Sequence, residues 1–389
     1  MAPGFNNYLP PPKPGVIPLR PLGLGEILDG AFQAARRNGK AMFGSALIFQ
    51  LATVAVTMAV MFIIFGRFMT DIFDMESSLQ SNDPAAMEAL GGGLLTLSLS
   101  MLLTGFLAVL IQMVLQGALV VPVLRSVLNR KTSFGQMWRL TKPRVGSLLL
   151  LAVLYAVATV VAVAAYAAIV VGLIVALDPQ DSGSAILGVI ALSLLLSLPF
   201  VVLAVWIGTK VLLAPAAIVV ENVGAIAGIK RSWQLTKRNW WRTFGTSFLA
   251  ALIAGIIGGV ITTPVSMLVS FVMPLMLGSE PTTDQTITVL LISQALTSIV
   301  SAVVGAVTLA FQTGVMALIY VDLRMRRDGF DIALLKESET GKDDGGIPGS
   351  PVPGALVSEN SAPYGNTTYG NSNGTTGVET PYQPGNYGS

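Results

Sequence analysis

The sequence predicts an all-α membrane protein, a polytopic bundle of six transmembrane helices in three related hairpins. Of its 389 residues, 53% are hydrophobic and 11% are charged, whereas about 25% of the residues of a soluble domain are charged. The charged residues are also clustered, and between the clusters lie six long runs without any charge. The third observation is that the basic residues fall in alternate clusters. Together these patterns indicate both the fold class and the number of spans.

Each uncharged run is longer than the roughly 20 apolar residues that cross a bilayer as a helix. No run is interrupted by a charge that would have to be buried in lipid. The predicted spans lie near residues 42–66, 90–121, 146–177, 184–215, 244–277 and 286–320.

The distribution of lysine and arginine predicts the orientation. Arg67 is the one basic residue in the three segments that follow the odd-numbered spans, and the other 22 of the 23 lie in the remaining segments. The positive-inside rule places those basic segments, and both termini, on the cytoplasmic side of the plasma membrane. No apolar region of a cleavable signal peptide precedes the first span.

The two ends of the chain differ in composition from the middle. Residues 1–21 are rich in proline and predict a disordered cytoplasmic leader before a membrane domain over residues 22–337. Residues 338–389 are rich in Gly, Asn, Ser, Thr, Pro and Tyr, which predicts a disordered cytoplasmic tail. Its repeated Tyr-Gly pairs could dock a membrane or cytoplasmic protein partner, or the tail could simply aid solubility.

Three similar segments precede the first, third and fifth spans. Phe32, Trp138 and Trp233 each begin a polar helical turn that leads through basic residues into an apolar run, and Trp138 and Trp233 share the pattern W-x-L-T-K. Each unit therefore predicts one short amphipathic helix followed by two spanning helices.

A helix with tryptophan on its apolar side and basic residues beside it is typical of the bilayer interface. We expect these short helices to lie on the anionic cytoplasmic leaflet, where each basic group contributes on the order of 1 kcal/mol. The alternative is that they only anchor the hairpins. Nucleic-acid binding is not expected, because each segment is tethered to spans on both sides. The predicted lipid or partner interface comprises Trp138, Lys230, Arg231, Trp233, Lys237, Arg238, Trp240 and Trp241.

Polar residues inside the even-numbered spans raise a second possibility. Gln116, Lys210 and Gln312 lie nine to eleven residues before the charged residues that close their spans. A buried ionisable group at such a depth is by default a functional hypothesis, here a polar path for a transported molecule. The alternative is that Lys210 extends to the headgroups and merely ends its span.

The composition argues against catalysis. The chain contains no histidine and no cysteine, so the usual general bases and thiol nucleophiles are missing. There is also no phosphate-binding G-x-x-x-x-G-K-[ST] loop. We therefore expect no enzyme activity, no catalytic residue, no cofactor and no metal site.

The segment E221NVGAIAGIKRSWQLTKRNWWRTFG resembles the signature of the glycerophosphoryl diester phosphodiesterase membrane domain family. In that family a Glu closes one span, an amphipathic A-x-x-R-S-W-x-L turn follows, and a Trp-rich start opens the next span. P18LRPLGLGEILDGAF is similar to the opening of actinobacterial members. The resemblance covers about residues 18–335 and implies a six-helix membrane protein, in some members fused to a phosphodiesterase domain whose catalytic histidines have no counterpart here.

These observations favour a non-catalytic membrane module that scaffolds a partner or engages anionic lipid through its Trp/Lys/Arg helices. A transporter or channel for a small molecule or lipid is the alternative.

Overall fold

The computed structural model describes residues 13–79, 84–177, 183–277, 282–340 and 343–350, and within these ranges the regular structure is helical. The long helices are α2 (Gly39–Leu79), α3 (Pro84–Val127), α5 (Val145–Leu177), α6 (Gly183–Val211), α9 (Trp240–Leu275) and α10 (Thr283–Asp328). The short helices are α1 (Leu24–Arg37), α4 (Phe134–Thr141), α7 (Ala214–Val220), α8 (Ala225–Thr236) and α11 (Phe330–Glu339).

Six helices are long and apolar enough to cross a membrane, which confirms the predicted all-α membrane fold. Several helices continue beyond the predicted spans. For example, α2 runs on to Leu79, past the predicted end at residue 66, because no glycine or proline follows to stop it before its polar end. The protein is thus a multi-pass membrane protein.

The helix order repeats three times. A short helix (α1, α4 or α8) is followed in each unit by two long ones, and in the second unit the chain breaks between α6 and α7. Pro215 lies in the first turn of α7, where proline is well tolerated because its missing N–H has no intrahelical acceptor. The predicted three hairpins therefore appear in the element order.

Helices α3 and α10 form the centre of the bundle. Helix α10 packs against α1, α2, α3 and α9, while α3 also packs against α2, α5 and α7. Buried residues concentrate at one end, where α3, α7 and α10 finish, and this end also carries the short helices. We call it the basic end. Toward the opposite end large apolar side chains are exposed, including Val175 and Leu275, as expected for helices surrounded by lipid.

Part of the predicted leader is packed against the bundle. Ile17 is completely buried and Leu22 nearly so, and the Val16 amide donates to the Ser126 carbonyl at 3.2 Å. Proline favours extended backbone, but the three apolar residues among these prolines, Val16, Ile17 and Leu19, are buried, and Ile17 lies against Gly30 of α1. The prediction of disorder is therefore wrong for residues 13–21. Residues 1–12 lie outside the described residues.

The structure also differs from the predicted tail. Helix α11 extends to Glu339, and residues 343–350, which we call the C-terminal strap, pack against the basic end. The composition suggested disorder from residue 338, yet acidic residues of this stretch meet arginines of α3 and of the loop after it. Residues 351–389, with the repeated Tyr-Gly pairs, lie outside the described residues.

Candidate functional site

At the basic end, a buried aspartate near the end of α10 binds residues from three segments of the chain. The Asp322 carboxylate is completely inaccessible and accepts hydrogen bonds from the Leu22 amide at 2.7 Å and from Nε of Arg242 and Arg326, each at 2.9 Å. Both guanidinium groups also donate to the Leu22 carbonyl. A buried carboxylate requires such compensation, so Asp322 joins the start of α1, the start of α9 and the end of α10.

A second ion-pair cluster surrounds Glu221, at the end of α7. Nε of Arg231 donates to both Glu221 oxygens at 2.8 and 2.9 Å, and the Tyr320 hydroxyl donates to Oε1 at 2.8 Å. Arg231 also pairs with Asp328. Burial would lower the pKa of Arg231, but the hydrogen bonds and charges of Glu221 and Asp328 outweigh it and raise this pKa. Arg231 is thus engaged in internal ion pairs, whereas the sequence placed it in the outward contact set.

Sequence reasoning treated Asp322 and Glu221 only as the ends of spans. A usable signal was present, because Arg326 follows Asp322 by four positions and Arg231 follows Glu221 by ten. The first spacing brings the two side chains together on one helix.

Helix α8 packs through small residues. Gly228 approaches Ile218 so closely that a Cβ at this position would lie 2.5 Å from Ile218 Cγ1. Ser232 is fully buried, donates to the Lys210 carbonyl at 2.8 Å and accepts from the Leu213 amide at 3.1 Å. These bonds satisfy backbone groups that the break between α6 and α7 leaves free. The inward side of α8 is therefore set by small and hydroxyl residues.

The opposite side of α8 carries Ile226, Lys230, Trp233 and Lys237, spaced four, three and four residues apart, and we call these four residues the outward stripe. Ile226 and both lysines are exposed, and 36% of Trp233 is accessible. An apolar, an aromatic and two basic residues on one exposed helix side are suited to the headgroup region of a bilayer. The sequence predicted basic residues beside the tryptophan side of this helix, whereas here Lys230 and Lys237 share the side of Trp233.

Two tryptophans at the start of α9 extend this surface. Trp241 is 78% exposed, and its ring contacts Trp240 edge to face at 4.7 Å between centroids. Trp240 is half-buried, stacks on Phe244 at 5.0 Å, and donates from Nε1 to the Trp206 carbonyl at 3.4 Å. Arg238, in the turn between α8 and α9, is exposed. Trp241 and Arg238 thus face outward, while Trp240 packs against Phe244 and α6.

Trp138 lies elsewhere, in the short helix α4. It is half-buried and packs against the core, with its ring 5.9 Å from that of Phe49 in α2. The exposed aromatic residue of α4 is instead Phe134. Within α4, Trp138 therefore contributes to helix packing.

The three polar residues of the predicted path lie in different surroundings. Lys210 is buried, with its ammonium group 5.5 Å from the Trp233 ring and 5.9 Å from the Trp206 ring. Gln116 is half-buried in α3. Gln312 is exposed on α10 and lines a groove of about 280 Å³ between α9 and α10, together with Gly255, Gly258, Thr262, Gly305 and Thr308. Lys210 thus packs against two tryptophans, Trp206 of α6 and Trp233 of the outward stripe, whose rings meet edge to face.

The C-terminal strap covers Arg125, near the end of α3, and Arg130, in the loop that follows. The Arg125 side chain is 1% exposed and donates to Asp343 Oδ2 at 2.7 Å and to the Gly346 carbonyl at 2.6 Å. Arg130 lies 3.7 Å from Asp343 and 3.6 Å from Asp344. Burial alone would raise the pKa of Asp343, but the Arg125 hydrogen bond, the Gly345 amide and both positive charges hold this pKa below its usual range.

This shift predicts that acid releases the strap. The folded-state pKa of Asp343 lies below that of a free aspartate, about 3.9, so its ion pairs contribute stability at pH values above that range. The contribution is lost as pH falls through the lower, folded-state pKa. A spin label on Ser350→Cys, in a chain that otherwise has no cysteine, should become mobile in that acidic range. In an Asp343→Asn background the label should show no such transition, and an unchanged transition would contradict the assignment.

A family model described as a domain of unknown function (DUF7847) matches residues 22–323. The match covers most of the chain, and the protein belongs to this family. No curated protein and no solved structure matches the chain. None of these findings names the glycerophosphoryl diester phosphodiesterase membrane domain family, so the resemblance seen in residues 221–245 stays a prediction.

Proposed function

We propose that this member of the DUF7847 family is a non-catalytic membrane module whose basic end engages anionic lipid. The observation that carries the proposal is the outward stripe of α8, with Arg238 and Trp241 exposed beside it. Three cationic groups and two accessible indoles lie next to the beginning of a span, at the level where headgroups meet acyl chains. Indoles favour that level, and lysine and arginine there attract anionic lipid.

The charge pattern supports the orientation that this function needs. Under the positive-inside rule the basic end faces the cytoplasm, where the leaflet is anionic. The resemblance to the phosphodiesterase-associated membrane domain family also fits, because its members are membrane modules and this sequence has no histidine to carry the associated chemistry. Scaffolding of a partner protein at the same end would extend this function.

Transport through a polar path remains the second candidate function. The groove beside Gln312 supports transport, since glycines and residues with hydroxyl groups line much of it within the apolar helices α9 and α10. Lys210 supports it less, because its ammonium group packs against two indole rings. Lipid engagement is therefore the stronger proposal.

Quenching of tryptophan fluorescence by brominated lipids tests the proposal. Each basic group contributes on the order of 1 kcal/mol near an anionic surface, so we expect brominated phosphatidylglycerol to quench several-fold more than brominated phosphatidylcholine at equal mole fraction. The triple change Lys230→Gln, Lys237→Gln and Arg238→Gln should abolish the difference. The matched control replaces both lysines with arginine and should retain it. Equal quenching by both lipids in the unmodified protein would contradict the proposal.

A further inference from the structure

The C-terminal strap is bound by a set of donors that suits an anion. Two donors of Arg125 reach strap acceptors, Asp343 Oδ2 at 2.7 Å and the Gly346 carbonyl at 2.6 Å. The Gln136 side-chain amide donates to the Gly345 carbonyl at 3.2 Å. Arg130 adds a second positive charge, 3.7 Å from Asp343, and also donates to the Glu337 carboxylate at 2.5 Å. Two guanidinium groups and an amide therefore converge on one carboxylate and two carbonyl oxygens.

The bundle itself satisfies Arg125 poorly. Outside the strap, the Arg125 guanidinium donates to the Lys131 carbonyl, at the long distance of 3.5 Å. The Nε atom of Arg125 is buried and has no hydrogen-bond partner among the described residues. An arginine has five donors and a fixed charge, so a guanidinium this deeply buried normally finds more acceptors. This site can accept a ligand with more oxygens than the strap offers.

The strap is attached in a manner that allows exchange. Its apolar contacts are the partly buried Ile347, the buried Pro348, and Gly349, which lies close against the Phe330 ring, whereas Asp343 at its start is nearly half exposed. Its other anchor is the hydrogen bond from the Gly349 amide to Glu337 at 3.0 Å. A ligand that replaces the Asp343 carboxylate and the Gly346 carbonyl would displace residues 343–346, and the contacts of residues 347–349 would remain as the attachment of the strap. The oxygens of the strap would therefore compete with the oxygens of a ligand for the same donors, Arg125 and Gln136.

We propose that Arg125, Arg130 and Gln136 form a phosphate-binding site that the C-terminal strap occupies in this structure. A phosphate monoester carries two negative charges near neutral pH and offers three terminal oxygens, which match two guanidinium groups and an amide. The phosphate could belong to a lipid headgroup or to a soluble molecule, and both present the same group to the arginines. The site goes beyond the outward stripe of α8 and shares no residue with it.

Binding of inorganic phosphate tests this site directly. The full chain is placed in phosphatidylcholine nanodiscs, and radiolabelled phosphate binding is measured at constant ionic strength. Asp343→Asn removes the competing carboxylate, so we expect it to bind phosphate about tenfold more tightly, the factor for one charge-assisted hydrogen bond. Arg125→Gln in that background should abolish binding, and Gln136→Ala should weaken it several-fold even if the arginine variant fails to fold. The matched control Arg36→Gln, an exposed arginine of α1, should leave binding unchanged.

A second arm distinguishes the sources of phosphate. Nanodiscs with phosphatidic acid carry a phosphomonoester headgroup, and those with phosphatidylglycerol carry a diester of lower charge. Release of a spin label at Ser350→Cys by phosphatidic acid identifies a headgroup ligand, and release by soluble phosphate alone identifies a soluble one. Absence of release in both arms, together with no phosphate binding to Asp343→Asn, would overturn the proposal. The α8 glutamine variants should not alter either result, so this test and the lipid-quenching test can fail separately.

Discussion

Asp322→Asn should lower the free energy of unfolding by about 3 kcal/mol or more, the range for breaking a buried ion pair. Asparagine keeps the volume of the side chain and one acceptor for the Leu22 amide. It removes the negative charge, however, and leaves Arg242 and Arg326 beside a neutral group. The contact is also the point at which the segment before α1, the start of α9 and the end of α10 are held together. Unfolding in mild detergent, followed by circular dichroism, measures the change.

Glu339→Gln is the matched control, because Glu339 is an exposed carboxylate at the end of α11. It should change stability by less than about 0.5 kcal/mol. Arg242→Gln should cost less in the Asp322→Asn background than alone, since the two groups share one interaction. Strict additivity, or a loss for Asp322→Asn no larger than that of the control, would contradict the role of Asp322 as the closing contact of the basic end.

Gly228→Val should displace helix α8 and lower stability by about 1–3 kcal/mol, the usual cost of overpacking. The added Cβ would lie 2.5 Å from Ile218 Cγ1 and 3.3 Å from the Ala214 carbonyl oxygen, and neither neighbour has free space, because both residues are completely buried. Relief requires α8 to move away from α7. Since Trp233 lies on α8 and Lys210 on α6, this movement should also disturb their contact and shift the tryptophan emission.

The control for this prediction is Ala227→Val, one position earlier on the same helix. Ala227 is exposed, so the change adds volume without a clash and costs only the lower helix propensity of valine, about 0.5 kcal/mol. Both variants are compared by thermal unfolding and by emission maximum. Equal stabilities and equal spectra would show that the close approach of Gly228 to Ile218 does not position α8.

The spans could be predicted from the sequence because a bilayer imposes a single requirement, a long apolar helix, on each crossing segment. The repeated short helices were also evident, since W-x-L-T-K recurs before two of the spans. The partners of the charged residues could not be predicted in the same manner. Leu22 and Asp322 are 300 positions apart, and their contact depends on how six helices assemble.

The side of α8 that faces the bundle was also difficult to predict. Hydrophobic periodicity placed Trp233 on a side that faces the bilayer interface, but it did not identify the packed side, where the structure buries Gly228 and Ser232. In a membrane protein, close approach of backbones selects small residues for the packed side, and a hydropathy pattern gives these residues little weight. The terminal segments were misjudged for a related reason, because composition predicted disorder although individual residues such as Ile17 and Asp343 have specific partners.

Mass spectrometry of the protein extracted directly from its membrane into native nanodiscs tests whether the basic end engages anionic lipid. If the basic end engages anionic lipid, the unmodified protein should retain anionic lipids above their bulk fraction. The Lys230→Gln, Lys237→Gln and Arg238→Gln variant should retain the bulk mixture. The same lipid composition in both samples, equal to that of the bulk membrane, would contradict the engagement of anionic lipid by the basic end.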